Sequence, residues 1–206
     1  MSNVFVSKHP LVQHKLTALR DVNTAHRDFR SLVRELAMLL TYESTLDLQL
    51  EEKQVSTPMG IAHGKKSREI VLIPILRAGL GMTDGVMALL PSVQVWHIGL
   101  YRDEKTLQPV EYYNKLPNDP TVQVCIVLDP MLATGGSAVA TITILKRWGV
   151  ERIKFMGLIA APEGIDRLTT VHPDVDIHIG AIDSHLNEIG FIVPGLGDAG
   201  DRMFGT

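Results

Sequence analysis

The residues best suited to binding a phosphorylated ligand form one continuous segment, residues 129–137. Asp129 ends an apolar run typical of a buried strand, and Thr134 and Ser137 flank two glycines that open a helical pattern. Two glycines let the backbone curl around an anion, and the first amides of a helix point outward without intrahelical partners. An ionised carboxylate at Asp129 only accepts hydrogen bonds, which suits the hydroxyl donors of a ribose diol. The segment therefore predicts a phosphate cradle beside a sugar site; the alternative is an ordinary capped helix.

Two arginines follow predicted strands and add the charge that a phosphorylated ligand needs. Arg77 comes directly after the apolar run 70–76, and Arg102 ends the next strand pattern. A guanidinium can bind diphosphate oxygens in a bidentate manner, a geometry that lysine cannot match. On its own, either residue also fits a solvated arginine at the edge of a loop.

Three glycine patterns suggest nucleotide-binding loops and fit them imperfectly. Gly79 and Gly81 begin a dinucleotide fingerprint, but its third glycine falls at Gly85, one residue late, so this interpretation is the runner-up. Residues 195–200 contain a literal G-x-G-x-x-G, but six residues after it leave no room for a crossover helix and a second strand. Residues 60–67 are one residue short of a P-loop and predict a surface turn.

The elements that must position these residues alternate between helix and strand. Helical periodicity covers residues 9–20 and 24–46, with Thr24 as the predicted N-cap. Alternating leucines at 46, 48 and 50 then indicate a strand or an edge hairpin. Strand patterns follow at 70–75, 95–100, 122–128, 153–160 and 175–181, and helical patterns at 82–90, 137–148 and 164–170. This order predicts an α/β fold with a central parallel sheet flanked by helices, which binds ligands beyond the carboxyl ends of its strands.

Composition excludes several functional classes. The 206 residues are 45% hydrophobic and 21% charged, which is typical of one globular domain. A net charge of −3 argues against wholesale binding of nucleic acid. The single cysteine, Cys125, excludes an intrachain disulfide, and the scattered histidines show no metal-binding pair. The longest apolar run is too short to span a membrane and no signal peptide pattern is present, so we predict a cytoplasmic protein.

Four motifs in the expected order resemble the type I phosphoribosyltransferases, in the variant found in the uracil phosphoribosyltransferase family. They are PILRAGLGM at 74–82, GLYRDEKTLQPVEYYNKLP at 99–117, DPMLATGGS at 129–137 and GFIVPGLGDAGDRMFGT at 190–206. With AAPEGI at 160–165, the resemblance spans residues 70–206. It implies one phosphoribosyltransferase domain over residues 1–206, with an N-terminal helical segment. It also implies a projecting arm at about 103–117, which has an ordinary surface hairpin as its alternative, and a C-terminal base-binding hood at about 182–206.

The resemblance implies transfer of the phosphoribosyl group from 5-phosphoribosyl 1-diphosphate to N1 of uracil, giving UMP and pyrophosphate for pyrimidine salvage. The implied catalytic residues are Arg77, Arg102 and Asp129. The implied contacts of the phosphoribosyl donor are these three together with Pro130, Met131, Leu132, Ala133, Thr134, Gly135, Gly136, Ser137 and Asp198. The implied uracil contacts are Ile192, Gly197, Asp198 and Ala199, where glycines allow the main chain to approach a flat base edge.

Cofactor and partners also follow from the resemblance. Most type I relatives carry two adjacent acids at the end of this strand, and here Pro130 replaces the second one. We therefore expect Mg²⁺ to be held through pyrophosphate oxygens and water, without a protein ligand set of its own. The resemblance further implies a homodimer or higher homo-oligomer and is compatible with an allosteric GTP effector, with no nucleic acid or membrane partner. Two alternatives stay open: a phosphoribosyltransferase for another base, and an RNA-binding pyrimidine regulator on the same fold.

Overall fold

The architecture is that of a parallel sheet with helices on both faces, in a computed structural model that describes residues 4–102, 109–114, 122 and 124–206. In chain order the first elements are β1 (Val4–Val6), α1 (Pro10–Arg20), α2 (His26–Ser44), β2 (Leu50–Thr57), β3 (Gly60–Ser67), β4 (Ile70–Pro74), α3 (Leu80–Leu89), β5 (Gln94–Val95), β6 (Ile98–Arg102) and β7 (Pro109–Asn114). The later elements are β8 (Val124–Leu128), β9 (Met131–Leu132), α4 (Gly136–Trp148), β10 (Ile153–Ala160), α5 (Pro162–Val171), β11 (Asp176–Ile182), β12 (His185–Leu186), β13 (Ile192–Val193) and α6 (Ala199–Phe204).

The central sheet has the strand order β1-β11-β10-β8-β4-β5, and every pairing along it is parallel. β9 also belongs to this sheet, where it pairs with β10. Strands β4, β8 and β10 are buried along their whole length because helices cover both faces. One face packs against α1, α2, α3 and α6, and the other packs against α4 and α5. The predicted α/β fold class is confirmed.

The N-terminal segment is helical, as predicted, but its second helix begins later than the sequence suggested. The helix α2 begins at His26 with Ala25 at the N-cap, and no side chain caps it. The predicted cap at Thr24 is wrong because its hydroxyl donates instead to the carbonyl of Ala18, 2.6 Å away. In the described part of the chain, no helix is both long and apolar enough to cross a membrane.

An exposed antiparallel hairpin follows α2, and it corrects two expectations. Its first strand, β2, begins at Leu50, whereas Leu46 lies in the turn after α2. Residues 60–67 form the second strand, β3, and the predicted surface turn there is wrong. The hairpin buries almost no side chain, so the strands are held by their mutual backbone pairing. A short strand, β1, also precedes α1 and pairs with β11. This strand was not predicted from the sequence, because only helices were assigned to the N-terminal segment.

The predicted strand at 95–100 is interrupted in the structure. β5 ends at Val95 in the central sheet, and β6 begins at Ile98 in a separate two-stranded sheet with β7. Trp96 lies at the break, where its ring packs edge-on against Trp148 of α4 with 5.0 Å between ring centroids. β6 and β7 pair in an antiparallel manner and form a hairpin. Residues 103–108 and 115–117 of the predicted arm lie outside the described residues, so the arm and its bounds stay a prediction.

Candidate active site

Two loops that carry predicted site residues lie side by side because their strands are neighbours. β4 pairs with β8 in parallel, with Pro74 opposite Leu128, so the loops after both strands begin at the same edge of the sheet. The amide of Ile75 donates to the carbonyl of Leu128 at 2.9 Å. A Cβ at Gly79 would lie 2.3 Å from that same carbonyl oxygen, so only glycine allows the first loop to pack this closely. This packing presents Arg77 beside the 129–137 segment.

The segment after β8 forms the expected concave turn at the start of α4. Gly135 precedes the helix in a left-handed conformation, with φ of 73°, and no side chain caps the helix. A cavity of about 90 Å³ lies inside the turn, lined by Asp129 and the residues from Met131 to Ala138. The first amides of α4 are therefore available to a ligand, apart from a long 3.5 Å contact between the amide of Gly136 and Thr134 Oγ1. The ordinary capped helix considered as the alternative does not form.

The back of this cradle is fixed by close contact with α5. A Cβ at Gly135 would lie 2.9 Å from the carbonyl oxygen of Gly164, and a Cβ at Gly164 would lie 2.3 Å from that of Ala133. The two glycines therefore allow the cradle backbone and the first turn of α5 to pack directly against each other. The AAPEGI motif thus supports the cradle from behind.

The carboxyl group of Asp129 has an unusual environment. It accepts a hydrogen bond from the amide of Met131 at 3.2 Å. The pKa of Asp129 is raised to about 7, mainly by burial and in smaller part by the negative charge of Asp198, while the hydrogen bond from Met131 opposes the shift. The influence of Asp198 shows that the C-terminal segment approaches the end of β8. The structure thus brings together the two acids that were predicted to face the phosphoribosyl donor.

Arg77 also connects its loop to the C-terminal segment. Its guanidinium lies 3.2 Å from Asp201 Oδ1 in α6, and the side chains of the two residues are 60% and 49% exposed. The peptide bond between Leu76 and Arg77 is cis. Because both partners are solvated, the ion pair leaves Arg77 able to exchange its partner for an anionic ligand. The backbone of Arg102 ends β6, and its side chain lies outside the described part of the chain.

The predicted uracil-binding residues lie in the C-terminal segment of residues 182–206, which we call the hood and which contains β12, β13 and α6. Ile192 belongs to β13, which pairs with β12 in a small antiparallel sheet. Gly197 has φ of 78°, and Asp198 caps α6 by accepting a hydrogen bond from the amide of Asp201 at 2.9 Å. Ala199 begins α6 and is buried. The segment is therefore packed against the core, which a flexible glycine-rich tail would not be.

Arginines that sequence reasoning did not single out hold the hood. Arg20 at the end of α1 pairs with Asp183 and donates to the carbonyl of Gly195 at 2.7 Å. Arg202 in α6 donates to three backbone carbonyls, those of Leu19, Asp21 and Leu196, and lies 4.4 Å from the centre of the Phe29 ring. No motif marks these residues because their partners are distant in the sequence.

The site contains acidic oxygen donors but no complete metal-ligand set among the described residues. Within the ranges that the structure describes, no group of three His, Cys, Asp or Glu side chains is placed to hold an ion. Pro130 occupies the position next to Asp129 where a second acid would lie. This donor set fits Mg²⁺ only when a phosphorylated ligand supplies further oxygens. Cys125 is buried within β8, and burial raises the pKa of its thiol to about 12, which is typical of a cysteine that only packs in the core.

Comparisons with known proteins agree with this geometry. A model of the family described as "Uracil phosphoribosyltransferase" matches residues 6–206. A uracil phosphoribosyltransferase from Roseiflexus sp. is 62% identical over 207 positions, covering all of both chains, and one from Dictyoglomus thermophilum is 58% identical, covering 98% of this chain and 99% of its own. A solved structure from Aquifex aeolicus superposes with a TM-score of 0.92 at 37% identity, covering 98% of this chain and 97% of that one. A hypoxanthine-guanine phosphoribosyltransferase from Bacillus anthracis, with a TM-score of 0.52 and 13% identity over 77% of this chain and 80% of its own, shares the fold. The chain belongs to the uracil phosphoribosyltransferase family.

Proposed function

We propose that this chain transfers the 5-phosphoribosyl group from 5-phosphoribosyl 1-diphosphate to N1 of uracil, releasing pyrophosphate and a proton and giving UMP. The observation that carries the proposal is the meeting of three loops at one edge of the sheet. Asp129 of the cradle is close enough to Asp198 of the hood for the charge of Asp198 to raise its pKa, and Arg77 forms an ion pair with Asp201 of the hood. A donor and an acceptor substrate bound to these loops would lie next to each other.

The donor binds across the cradle and the Arg77 loop. The first amides of α4 and the hydroxyls of Thr134 and Ser137 hold the 5′-phosphate, because these donors converge on the start of the helix. The carboxylate of Asp129 accepts hydrogen bonds from the ribose hydroxyls. Arg77 exchanges its exposed partner Asp201 for the diphosphate, and Arg102 contributes a second guanidinium.

The acceptor binds under the hood through main-chain groups. Uracil presents two carbonyl acceptors on either side of an N3–H donor, and backbone groups near Ile192, Gly197 and Ala199 match this pattern. Cytosine replaces one carbonyl with an amino donor and turns N3 into an acceptor, so two contacts become mismatched. Each buried unpaired group costs about 1–3 kcal/mol, so we expect discrimination of about a hundredfold or more.

The chemical step needs no covalent intermediate with the protein. N1 of uracil attacks C1′ from the face opposite the pyrophosphate, so the configuration inverts and the transition state has oxocarbenium character. Arg77 and Arg102 stabilise the negative charge that grows on the leaving group, while the cradle and Asp129 keep C1′ in line with N1. Mg²⁺, held mainly by pyrophosphate oxygens and water, would supply further neutralisation of the leaving group.

Assembly and regulation extend the proposal. The exposed hairpin β2–β3 supports a homo-oligomer, because Met59 at its tip is 96% exposed and Ile61 beside it is also exposed. A cytoplasmic location and an allosteric GTP effector stay predictions from the resemblance.

The direct test is an assay of nucleotide formation with uracil, cytosine, hypoxanthine and adenine, each with and without Mg²⁺. We expect UMP from uracil, dependence on Mg²⁺, and a kcat/KM for cytosine that is lower by about a hundredfold or more. Comparable use of cytosine would contradict the assignment of the hood to uracil. Preferential use of a purine base would contradict the proposed substrate.

A further inference from the structure

The hood is held by an ion pair between Arg20 and Asp183, two residues outside the proposed substrate contacts. Arg20 Nη1 and Nη2 lie 2.7 and 2.6 Å from the two carboxylate oxygens of Asp183, a bidentate arrangement. The Asp183 side chain is only 4% exposed and that of Arg20 24% exposed. Asp183 directly follows β11, at the edge of the sheet where the ligand loops gather. The pair thus joins the end of α1 to the beginning of the hood.

The same two side chains hold one residue of the hood from both sides. The amide of Gly195 donates to Asp183 Oδ2 at 2.9 Å, and the carbonyl of Gly195 accepts from Arg20 Nη1 at 2.7 Å. The next carbonyl, that of Leu196, accepts from Arg202 at 2.9 Å. All of these hydrogen bonds involve the backbone of Gly195 and Leu196, which come shortly before Asp198 in the chain. These polar groups of 195–196 are therefore committed to the scaffold, which fixes the direction in which the backbone of Gly197 and Ala199 points.

We infer that Arg20 and Asp183 are positioning residues for the base, which set the orientation of the uracil-binding backbone and thereby its preference for uracil over cytosine. The inference rests on the proposed function, since it takes the hood as the base site. Main-chain recognition depends on orientation more than side-chain recognition does, because a peptide group cannot adopt another rotamer to recover a lost hydrogen bond. A displacement of about 1 Å between the reacting groups can lower the rate of a reaction by about a hundredfold.

A second ion pair in the molecule provides a matched control. Lys154, whose side chain is 1% exposed, pairs with Asp47 near the amino end of β10, at the opposite edge of the sheet. This pair joins the turn after α2 to the sheet, and like the first pair it has one buried member, here the cation Lys154. Asp47 also pairs with Arg152. Breaking it tests what the loss of such a pair does to the protein when the hood is untouched.

The experiment compares Arg20→Gln, Arg20→Lys and Asp183→Asn with Asp47→Asn in the full chain. Steady-state kinetics give KM for uracil and for 5-phosphoribosyl 1-diphosphate separately, and thermal unfolding gives Tm. For Arg20→Gln we expect KM for uracil to rise about tenfold, because about that much is lost with one charged hydrogen bond. The KM for the donor should change by less than about twofold. Discrimination against cytosine should fall, and Arg20→Lys should be intermediate because it keeps the charge and loses the fork. Asp47→Asn should lower Tm and leave both KM values unchanged.

The outcomes separate the positioning role from the assignment of the hood. Gly197→Ala, which alters the hood backbone directly, serves as the reference. If Gly197→Ala raises KM for uracil and the folded Arg20 variants do not, the positioning role is wrong and the hood assignment stands. If neither changes KM for uracil, the base site itself is misplaced. If Arg20→Gln and Asp183→Asn do not fold, Arg20→Lys still decides the question, because an unchanged uracil preference in that folded variant overturns the inference.

Discussion

The cradle and the hood solve the same problem, presenting backbone groups to a ligand, in different ways. The cradle is local: residues 129–137 run from the end of β8 into α4, and its shape comes from glycines in contact with the neighbouring backbone. The hood is assembled from distant parts of the chain, with Arg20 and Arg30 of the N-terminal helices bonded to its carbonyls. The cradle is therefore fixed by close backbone contacts with α5. The hood also contains one close backbone contact, between Gly195 and the carbonyl of Ile192, but specific hydrogen bonds hold it to the rest of the molecule.

This difference predicts how each region responds to substitution. A sterically defined loop tolerates no added Cβ where backbone passes backbone, so a single methyl can displace it. A loop held by hydrogen bonds tolerates a small change of side chain as long as the bonds persist. Substitutions in the cradle should therefore affect the use of the phosphoribosyl donor strongly, and modest ones in the hood should affect base preference weakly.

The largest effect is expected from Gly135→Val. The residue has φ of 73°, and its Cβ would lie 2.9 Å from the carbonyl oxygen of Gly164, so valine must displace the cradle or α5. We expect kcat/KM for the donor to fall by about a hundredfold or more, since the strain alone is about 1–2 kcal/mol and the clash adds to it. Steady-state kinetics with varied donor measures this.

Gly60→Val is the control for Gly135→Val. Gly60 also has a positive φ, 149°, but lies in the exposed hairpin with nothing within 4 Å of its Cβ position. The kcat/KM of Gly60→Val for the donor should therefore stay near that of the parent protein. A cradle variant that kept full activity would show that the close contact with α5 is dispensable for donor binding.

The same contrast explains what the sequence could predict. The cradle was found because strand, acid, glycines and helix follow one another in the chain, and the apolar runs at β4, β8 and β10 marked the sheet for the same reason. The support of the hood was missed because Arg20 and Asp183 are far apart in sequence, and an arginine at a helix end looks the same whether it is solvated or paired. The break at Trp96 was missed because packing against the distant Trp148 lies outside any local pattern. The strand β3 was missed because residues 60–67 lack an alternating apolar pattern, and backbone pairing with β2 defines the strand instead.

Asp129→Asn should reduce UMP formation by about tenfold or more. Asparagine keeps the shape but offers a donor where the ribose hydroxyls need an acceptor, and a hydrogen bond to a charged group is worth about 1.5–3 kcal/mol. In the parent protein, kcat/KM for the donor should fall as the pH drops below about 7, where the Asp129 carboxyl becomes protonated. The variant should lack this limb of the profile. Identical profiles in the two proteins would remove Asp129 from donor binding.

The same substitution should make the ligand-free protein more stable at alkaline pH. The pKa of Asp129 is raised from 3.8 to about 7 on folding, so between these values the unfolded chain ionises while the folded chain keeps its proton. The stability of the parent therefore decreases as the pH rises through this range and stays reduced above it. An asparagine side chain at this position does not titrate, so the stability of the variant does not decrease over this pH range for this reason.

Thermal unfolding at pH 4 and pH 8.5 checks this sign. The Tm values of the two proteins should nearly coincide at pH 4. At pH 8.5 the Tm of the variant should be higher by about 2–4 °C for each kcal/mol recovered. A variant that is less stable than the parent at pH 8.5 would mean that the carboxylate of Asp129 is stabilised in the empty site.

The smallest effect is expected from Ala199→Gly, which tests whether the hood recognises the base through its main chain. Ala199 is fully buried at the first position of α6, and its methyl group belongs to the core that α6 shares with α2 and α3. Removing the methyl should lower Tm slightly, because glycine costs about 1 kcal/mol relative to alanine in a helix and the lost methyl leaves a small void. The backbone amide remains, and Asp198 still caps α6. The ratio of kcat/KM for uracil to that for cytosine should therefore change by less than about twofold, since the groups that distinguish the two bases are intact. A tenfold loss of discrimination would show that the methyl group shapes the base pocket, and the hood would then resemble the cradle in depending on sterics.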